Sequence, residues 1–107
     1  MEAMSMIRPE LVCPAGTPAS LRTAVDAGAD AVYCGFQNAT NARNFSGLNF
    51  TTAEMRGGVD YTHDKGAKLL LAINTFPPGG KTDLWKSAID DGVCFGVDAL
   101  IVADIGV

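Results

Sequence analysis

The chain has 107 residues, which is enough for one small domain and too few for two. Hydrophobic residues make up 48% of the sequence and charged residues 19%, so the chain is globular rather than disordered. Its net charge of -4 argues against a nucleic-acid partner, because binding to phosphate backbones needs a concentrated basic surface. No apolar run reaches the roughly 18 to 20 residues of a membrane span, and the start MEAMSMIRPE lacks the apolar core of a signal peptide. We therefore expect a cytoplasmic protein.

Four short apolar segments are predicted to be strands. The first is Glu10 to Cys13, and the other three begin with a glycine: GADAVYCG from Gly28, GAKLLLAIN from Gly66 and GVDALIVAD from Gly96. A glycine at the start of such a run is typical of a position where a helix ends and a strand follows. The repetition indicates a series of βα units.

Three helices are predicted between these strands, each preceded by a threonine that can cap it: Thr17, Thr51 and Thr82. Pro18 fits the first helical position, and Glu54 completes a capping-box pattern with Thr51. Gly57 and Gly58 fall inside the second helix, where each costs roughly 1 kcal/mol relative to alanine. That helix must therefore depend on tertiary packing or fray. The predicted order is β1 α1 β2 α2 β3 α3 β4.

The runs KLLLAIN and DALIVA are apolar almost throughout, which is typical of parallel strands covered on both faces. Two α/β folds fit this order, an open doubly wound sheet and a (β/α)8 barrel. We favour the N-terminal half of a TIM-like (β/α)8 barrel in residues 9–107, preceded by an N-terminal tail in residues 1–8. Half a barrel leaves β1 and β4 as unpaired edges and one face of the sheet uncovered, so we expect the chain to self-associate or to belong to a longer protein.

Functional residues are expected just past the strands, because ligands bind at the carboxyl ends of the strands in both folds. The connection from Phe36 to Phe50 exceeds the usual length of roughly 2 to 6 residues, which indicates a binding loop. The candidate substrate-binding residues are Asn41, Arg43, Asn49, Asn74 and Asp104. A weaker candidate is an anion-binding turn at Gly16 and Thr17, where the first helix begins.

Each of these candidates also has a structural role open to it. Loop asparagines commonly serve turn conformations, Arg43 can tie the loop to Asp104, and Asp104 can cap a helix. The three cysteines, Cys13, Cys34 and Cys94, have no CxxC spacing, so we expect reduced thiols and no metal site. His63, the only histidine, falls on the second helix, where we expect it to be solvated.

Four segments of the sequence carry a resemblance to a known family: ELVCPAGTPASLRTAVDAGADAVYCG, TNARNFSGLNFT, LLLAINTF and GVDALIVADIG. In this order they resemble the N-terminal part of the collagenase-like peptidase family of unassigned catalytic type. The resemblance runs from about Pro9 to Val107, and the asparagine-rich loop is most similar to the UbiU branch. It implies a barrel-like α/β domain. For that branch it further implies oxygen-independent hydroxylation of a quinone precursor in ubiquinone biosynthesis, together with a UbiV-like partner protein.

The same resemblance implies a 4Fe-4S cluster bound by four cysteines that belong to a region beyond the matched stretch. We therefore expect no cofactor ligand in this chain. Two other functions stay open: cleavage of a peptide substrate, which the family name indicates, and a non-catalytic half-barrel that acts by assembly. We expect the chain alone to be inactive, because no nucleophile, base and orienting group can be assembled from its residues.

Overall fold

The computed structural model describes residues 9–38, 40–41, 48–75 and 82–102. Strands and helices alternate in the predicted order: β1 (Val12–Pro14), α1 (Pro18–Asp26), β2 (Ala31–Cys34), α2 (Thr52–Asp64), β3 (Lys68–Ile73), α3 (Asp83–Phe95) and β4 (Ala99–Val102). None of the helices in these ranges is long and apolar enough to cross a lipid bilayer. The cytoplasmic location stays a prediction.

The four strands form one parallel sheet in which each strand pairs with its neighbours in the sequence. In the register, Tyr33 of β2 lies beside Pro14 of β1 and Leu70 of β3. A doubly wound sheet reverses its strand order at a switch point, whereas a barrel adds each strand beside the one before it. The order β1-β2-β3-β4 is therefore that of the N-terminal half of a (β/α)8 barrel, as the sequence predicts.

Most of the predicted helix ends are confirmed. Gly28, Gly66 and Gly96 have φ values of 102°, 76° and 83°, a left-handed conformation that glycine adopts without a steric penalty. Thr17 and Thr51 accept hydrogen bonds from the third N–H group of their helices. The prediction for Thr82 is wrong in part. It precedes α3, but its backbone is helical (φ -102°, ψ -3°) and its hydroxyl makes no capping hydrogen bond.

The helices cover one face of the sheet. On that face Val32, Leu69 and Leu71 are completely buried. On the opposite face Val12 is 45% exposed and Ile101 40% exposed, so the described part of the chain leaves this face uncovered, as expected for half a barrel. The reason is geometric: right-handed crossovers that always add the next strand on the same side place every helix on one face.

The packing of α2 explains one of its two glycines. A Cβ atom on Gly58 would lie 3.3 Å from Leu21 Cδ1 in α1 and 3.4 Å from Phe50 Cε2. The helix therefore approaches its neighbours so closely that a side chain at this position would require Leu21 or Phe50 to shift by a few tenths of an ångström. The predicted dependence of α2 on tertiary packing is confirmed at Gly58, whereas Gly57 is exposed and meets nothing within 4 Å.

Candidate functional site

The long connection after β2 closes on itself at the carboxyl end of that strand. Phe36 and Phe50 form an isolated parallel bridge. The N–H of Gln37 donates to the carbonyl of Phe50 (2.9 Å), and the N–H of Phe50 donates to the carbonyl of Gly35 (3.1 Å). Phe50 is completely buried. The two ends of the connection are therefore fixed side by side on the sheet.

The same connection is joined to the loops on both sides of it. The N–H of Asn49 donates to the carbonyl of Gly16, which follows β1. The N–H of Asn74, directly after β3, donates to the carbonyl of Thr40 (3.0 Å). Backbone hydrogen bonds thus bring the segments that follow three neighbouring strands to one end of the sheet, where barrel proteins bind their ligands.

A cavity of about 200 Å³ lies where these segments meet. Its lining includes three of the predicted substrate-binding residues, Asn41, Asn49 and Asn74, together with Gly16, Tyr33 and Gly35. The structure therefore brings together three asparagines from a stretch of sequence in which the first, Asn41, and the last, Asn74, are 33 residues apart. Gly16 of the predicted anion-binding turn also lines this cavity.

Asn41 is held against the end of β2. Its side chain is only 6% exposed, and its Nδ2 donates to the carbonyl of Phe36 (3.4 Å). Its own N–H donates to the carbonyl of Asn38 (3.1 Å). Buried amides in hydrogen-bonding networks have defined orientations, so Asn41 presents a fixed polar surface to the cavity.

Asn49 has a left-handed backbone, with a φ of 72°. Asparagine tolerates this region better than most residues with a side chain. It is 8% exposed, and its position is set by the hydrogen bond to Gly16 on one side and by the buried Phe50 on the other. The sequence therefore satisfies a turn requirement and supplies a carboxamide to the cavity with the same residue.

Asn74 is positioned from β3 and α3 together. It follows the last residue of β3, and the next residue, Thr75, accepts a hydrogen bond from Nε1 of Trp85 in α3 (3.2 Å). Trp85 is itself only 5% exposed. The end of β3 is therefore tied both to the core of α3 and to Thr40.

Cys34 lines the cavity but is a poor nucleophile. It is 4% exposed, and its thiol donates to the Sδ atom of Met55 (3.7 Å). Burial raises the pKa of the Cys34 thiol to about 12. Because the thiolate and not the thiol attacks electrophiles, this cysteine is unreactive at neutral pH. It is a small buried hydrophobe, as the sequence indicates.

The other predicted residues lie elsewhere or outside the described ranges. Arg43 and Asp104 fall outside the described residues. The hydroxyl of Thr17 accepts from the N–H of Ser20 (3.1 Å) and caps α1, and Thr17 does not line the cavity. His63 is exposed on α2, as predicted, and in addition its Nε2 lies 2.7 Å from Oδ2 of Asp98 near the amino ends of the strands.

The cysteines do not fit an iron-sulfur cluster. Cys34 is enclosed by the core, Cys94 is exposed on α3, and Cys13 is half-buried on β1. In the part of the chain that the structure describes, no group of three or more His, Cys, Asp or Glu side chains could hold a metal ion.

The cavity is suited to an uncharged polar ring. A carboxamide offers donors and an acceptor together, so several of them can match a ring edge that carries both. Tyr33 adds an aromatic side chain to the lining, which favours planar ligands. Sequence reasoning missed Tyr33 and Gly35. Tyr33 stands inside an apolar strand, and only the alternation of that strand places it on the face opposite the helices.

The fold and the site define a (β/α)-barrel protein with a carboxamide-lined pocket at the carboxyl ends of its strands. Residues 16–107 match the model of Peptidase family U32, and the chain belongs to this family. The resemblance to the collagenase-like peptidases is thereby confirmed.

Three curated relatives illustrate what the chain is similar to. An uncharacterized protease of Methanocaldococcus jannaschii is 38% identical over 94% of this chain, and tRNA hydroxylation protein P of Helicobacter pylori (strain 26695) is 38% identical over 92%. The 23S rRNA 5-hydroxycytidine C2501 synthase of Escherichia coli is 36% identical over 97%. The chain spans 24%, 23% and 16% of the length of these three relatives.

A solved structure supports the fold alone. The crystal structure of 2,3-dimethylmalate lyase, a PEP mutase/isocitrate lyase superfamily member, superposes with a TM-score of 0.50 at 19% sequence identity. The match covers 92% of this chain and 36% of the lyase.

Proposed function

We propose that this chain forms the base-binding part of a protein that hydroxylates a pyrimidine in RNA. The observation that carries the proposal is the convergence of Asn41, Asn49 and Asn74 on one cavity beside Tyr33, whose lining among the described residues carries no charge. A pyrimidine is a planar ring whose edge carries donors and acceptors, and carboxamides can pair with both. Enzymes that modify bases commonly take them out of the stack into such pockets.

The names of relatives support the same reaction class. Two of those described above are named for hydroxylation of tRNA or rRNA, and the rRNA enzyme is named for its 5-hydroxycytidine product. In this proposal the chain binds and orients the base. The oxidation itself, and the 4Fe-4S cluster that the resemblance implies, are assigned to the protein beyond residue 107.

The proposal departs from the expectation, based on the net charge of -4, that nucleic acid is not a partner. That expectation concerns phosphate contacts, which dominate the affinity of nucleic-acid-binding surfaces. A pocket that receives one flipped base needs no basic surface of its own, because phosphate contacts can come from another part of the protein. The chain spans only 16% to 24% of the three relatives described above.

Two alternatives remain as proposals of lower rank. Hydroxylation of a quinone precursor with a UbiV-like partner follows from the resemblance to the UbiU branch, and such a ring would also fit an uncharged pocket. Peptide hydrolysis has less support, since the only thiol in the lining is Cys34, whose pKa is raised to about 12. The proposed function and the two alternatives differ in the product that disappears when the gene is removed.

The test is a deletion of the gene followed by mass spectrometry of nucleosides from purified tRNA and rRNA. We expect one hydroxylated pyrimidine to disappear and to return with the wild-type gene, expressed with its whole reading frame. A plasmid carrying Asn74→Ala should restore much less of it, because one of the three carboxamides is lost. Lys86→Ala, a substitution on α3 outside the cavity lining, is the matched control.

Unchanged RNA nucleosides in the deletion strain would refute the proposal. The same strain grown without oxygen and assayed for ubiquinone decides the first alternative, because a loss of ubiquinone with intact RNA hydroxylation would assign the chain to quinone biosynthesis.

A further inference from the structure

Gly35 and Asn41 both line the cavity, and the side chain of Asn41 lies against the glycine. A Cβ atom built on Gly35 would lie 2.6 Å from Nδ2, 2.7 Å from Cγ and 3.2 Å from Cβ of Asn41. The first two distances are shorter than any ordinary contact between such atoms. The flat carboxamide of Asn41 therefore lies directly on the glycine, in space that every other residue would fill.

The conformation of the backbone does not account for this glycine. Gly28, Gly66 and Gly96 have positive φ angles, whereas Gly35 is not among the glycines with this conformation. An alanine could adopt the backbone conformation of residue 35. The reason for a glycine at this position is therefore the space that Asn41 occupies.

Asn41 has little room to move away from a larger neighbour. Its N–H is hydrogen-bonded to the carbonyl of Asn38, and its Nδ2 donates to the carbonyl of Phe36. The preceding residue, Thr40, is completely buried and bonded through its carbonyl to the N–H of Asn74. A side chain at position 35 would therefore displace the carboxamide rather than the backbone, and the adjoining open space is the cavity of about 200 Å³.

We propose that Gly35 is a positioning residue, which acts by leaving the Asn41 carboxamide in the place where it meets the bound ring. This inference rests on the proposed function, because it assigns Asn41 to recognition of the base. It adds a residue that has no side chain of its own and acts through the position of Asn41. A Cβ at position 35 displaces the polar surface that selects the ring.

The packing is tested by a double-mutant cycle in the protein expressed with its whole reading frame. Gly35→Ala is expected to lower the urea midpoint of unfolding, with a loss of about tenfold in the folding equilibrium constant. The double variant Gly35→Ala/Asn41→Ala should recover most of that loss, since the atoms that clash are removed. Gly57→Ala is the matched control, because a Cβ there meets nothing within 4 Å.

The positioning role is tested by the amount of hydroxylated nucleoside in complemented deletion strains, normalised to folded protein. Gly35→Ala is expected to reduce it about tenfold or more, as displaced binding groups do. The double variant should regain stability without regaining hydroxylation, and Gly57→Ala should match the wild type. If Asn41 had only a structural role, the double variant would regain both its stability and its hydroxylation.

The outcomes separate this inference from the proposed function. If Gly35→Ala is as stable as the wild type, the contact with Asn41 is not what fixes the glycine, and the inference is wrong. If the double variant regains hydroxylation, Asn41 has only a packing role, and the inference is also wrong. If the wild-type gene supports no RNA hydroxylation, the proposed function fails, and the stability cycle still reports on the packing.

Discussion

Asn49 combines an uncommon backbone conformation with a place in the cavity lining. Non-glycine residues at positive φ are uncommon, and they persist where the surrounding structure holds them. Here the hydrogen bond to the Gly16 carbonyl and the burial of Phe50 hold it. A glycine would fit the backbone at least as well, so the asparagine side chain is retained for what it contacts.

The first prediction separates these two properties of Asn49. Asn49→Gly should leave the free energy of unfolding within about 0.5 kcal/mol of the wild type and should lower hydroxylation. Asn49→Ala should destabilise the protein by about 1 kcal/mol, because alanine has no preference for the left-handed region. Urea unfolding monitored by circular dichroism measures the free energy of unfolding of both variants. Equal destabilisation by the two variants would contradict the role assigned to φ.

At the scale of single residues, the sequence predicts where the three asparagines lie better than it predicts the contacts that fix their side chains. Asn41, Asn49 and Asn74 follow strands, and that position alone predicts their meeting. Gly35 could not be predicted, because its role depends on a contact with Asn41 that only the folded loop creates. The ion pair of His63 with Asp98 was missed for a similar reason: its partners are 35 residues apart and lie on different elements.

Among the elements, α2 shows how the environment decides the effect of a glycine. Gly57 is exposed with open space around it, whereas Gly58 faces Leu21 and Phe50. The two residues are adjacent in one helix, so they share nearly the same intrinsic propensity. Any difference between substitutions at the two positions therefore measures packing between α2 and its neighbours.

The second prediction uses this pair. Gly57→Ala should stabilise the protein by about 0.5 to 1 kcal/mol, because alanine favours the helix and restricts the unfolded chain. Gly58→Ala should be less stable than Gly57→Ala by about 1 kcal/mol, because its Cβ crowds Phe50. Thermal and urea unfolding of the two variants provide the comparison. Equal gains would indicate that α1 and Phe50 adjust without cost.

A carboxylate links three elements near the amino ends of the strands. Oδ2 of Asp98, just before β4, accepts from the N–H of Leu69 in β3 (2.8 Å) and lies 2.7 Å from Nε2 of His63 in α2. Burial alone would raise the pKa of Asp98, but the hydrogen bonds from His63 and Leu69 and the nearby positive charges outweigh it and lower the pKa.

The third prediction follows from the sign of that shift. Because its pKa is lower in the folded state, Asp98 contributes stability above its unfolded pKa of about 3.9, and the contribution is lost as the pH falls through the folded value. Asp98→Asn keeps an acceptor for Leu69 and removes the charge. We expect the variant to be less stable than the wild type by about 1 kcal/mol at about pH 6 and similar to it near pH 2.

Urea unfolding across this range measures the difference between the two proteins. Parallel stability curves for the wild type and Asp98→Asn would show that the ionised carboxylate contributes nothing at this position. Asp64→Asn, a substitution at the last residue of α2, is a control for a general change in acidic charge.

For the whole molecule, the main feature is the uncovered face of the sheet. By alternation along the paired strands, Val12, Tyr33, Leu70 and Ile101 share the face opposite the helices. Among these, Val12 and Ile101 are 45% and 40% exposed. In a complete barrel, side chains from all the strands fill this space.

The fourth prediction concerns residues 1–107 expressed alone. We expect them to self-associate through this face, because adjacent apolar side chains exposed to water favour burial. Sedimentation velocity should show species above the monomer mass, and Ile101→Lys should shift the distribution towards monomer. Lys86→Ala, away from the strands, should leave it unchanged. A monomer at all concentrations would contradict the expectation.

The architecture was accessible from the sequence because its signals are local. Glycines at the helix ends and apolar runs recur along the chain, and they fix the order of elements without knowledge of any distant contact. The uncovered face of the sheet could also be predicted, because it follows from the order of elements expected for half a barrel. The run KLLLAIN alone does not show it, because an apolar strand looks the same whether one face or both faces are covered by its own chain.

The bridge between Phe36 and Phe50 has a consequence for how such proteins diversify. Because the two ends of the connection are fixed to each other and to the sheet, a change in the length of the connection between Asn41 and Asn49 does not require a strand to move. Lengthening a closed loop costs little, about 0.6 kcal/mol for each doubling. A common barrel can therefore acquire new ligands by replacement of one insert, which is one route by which a single family comes to include proteins with different substrates.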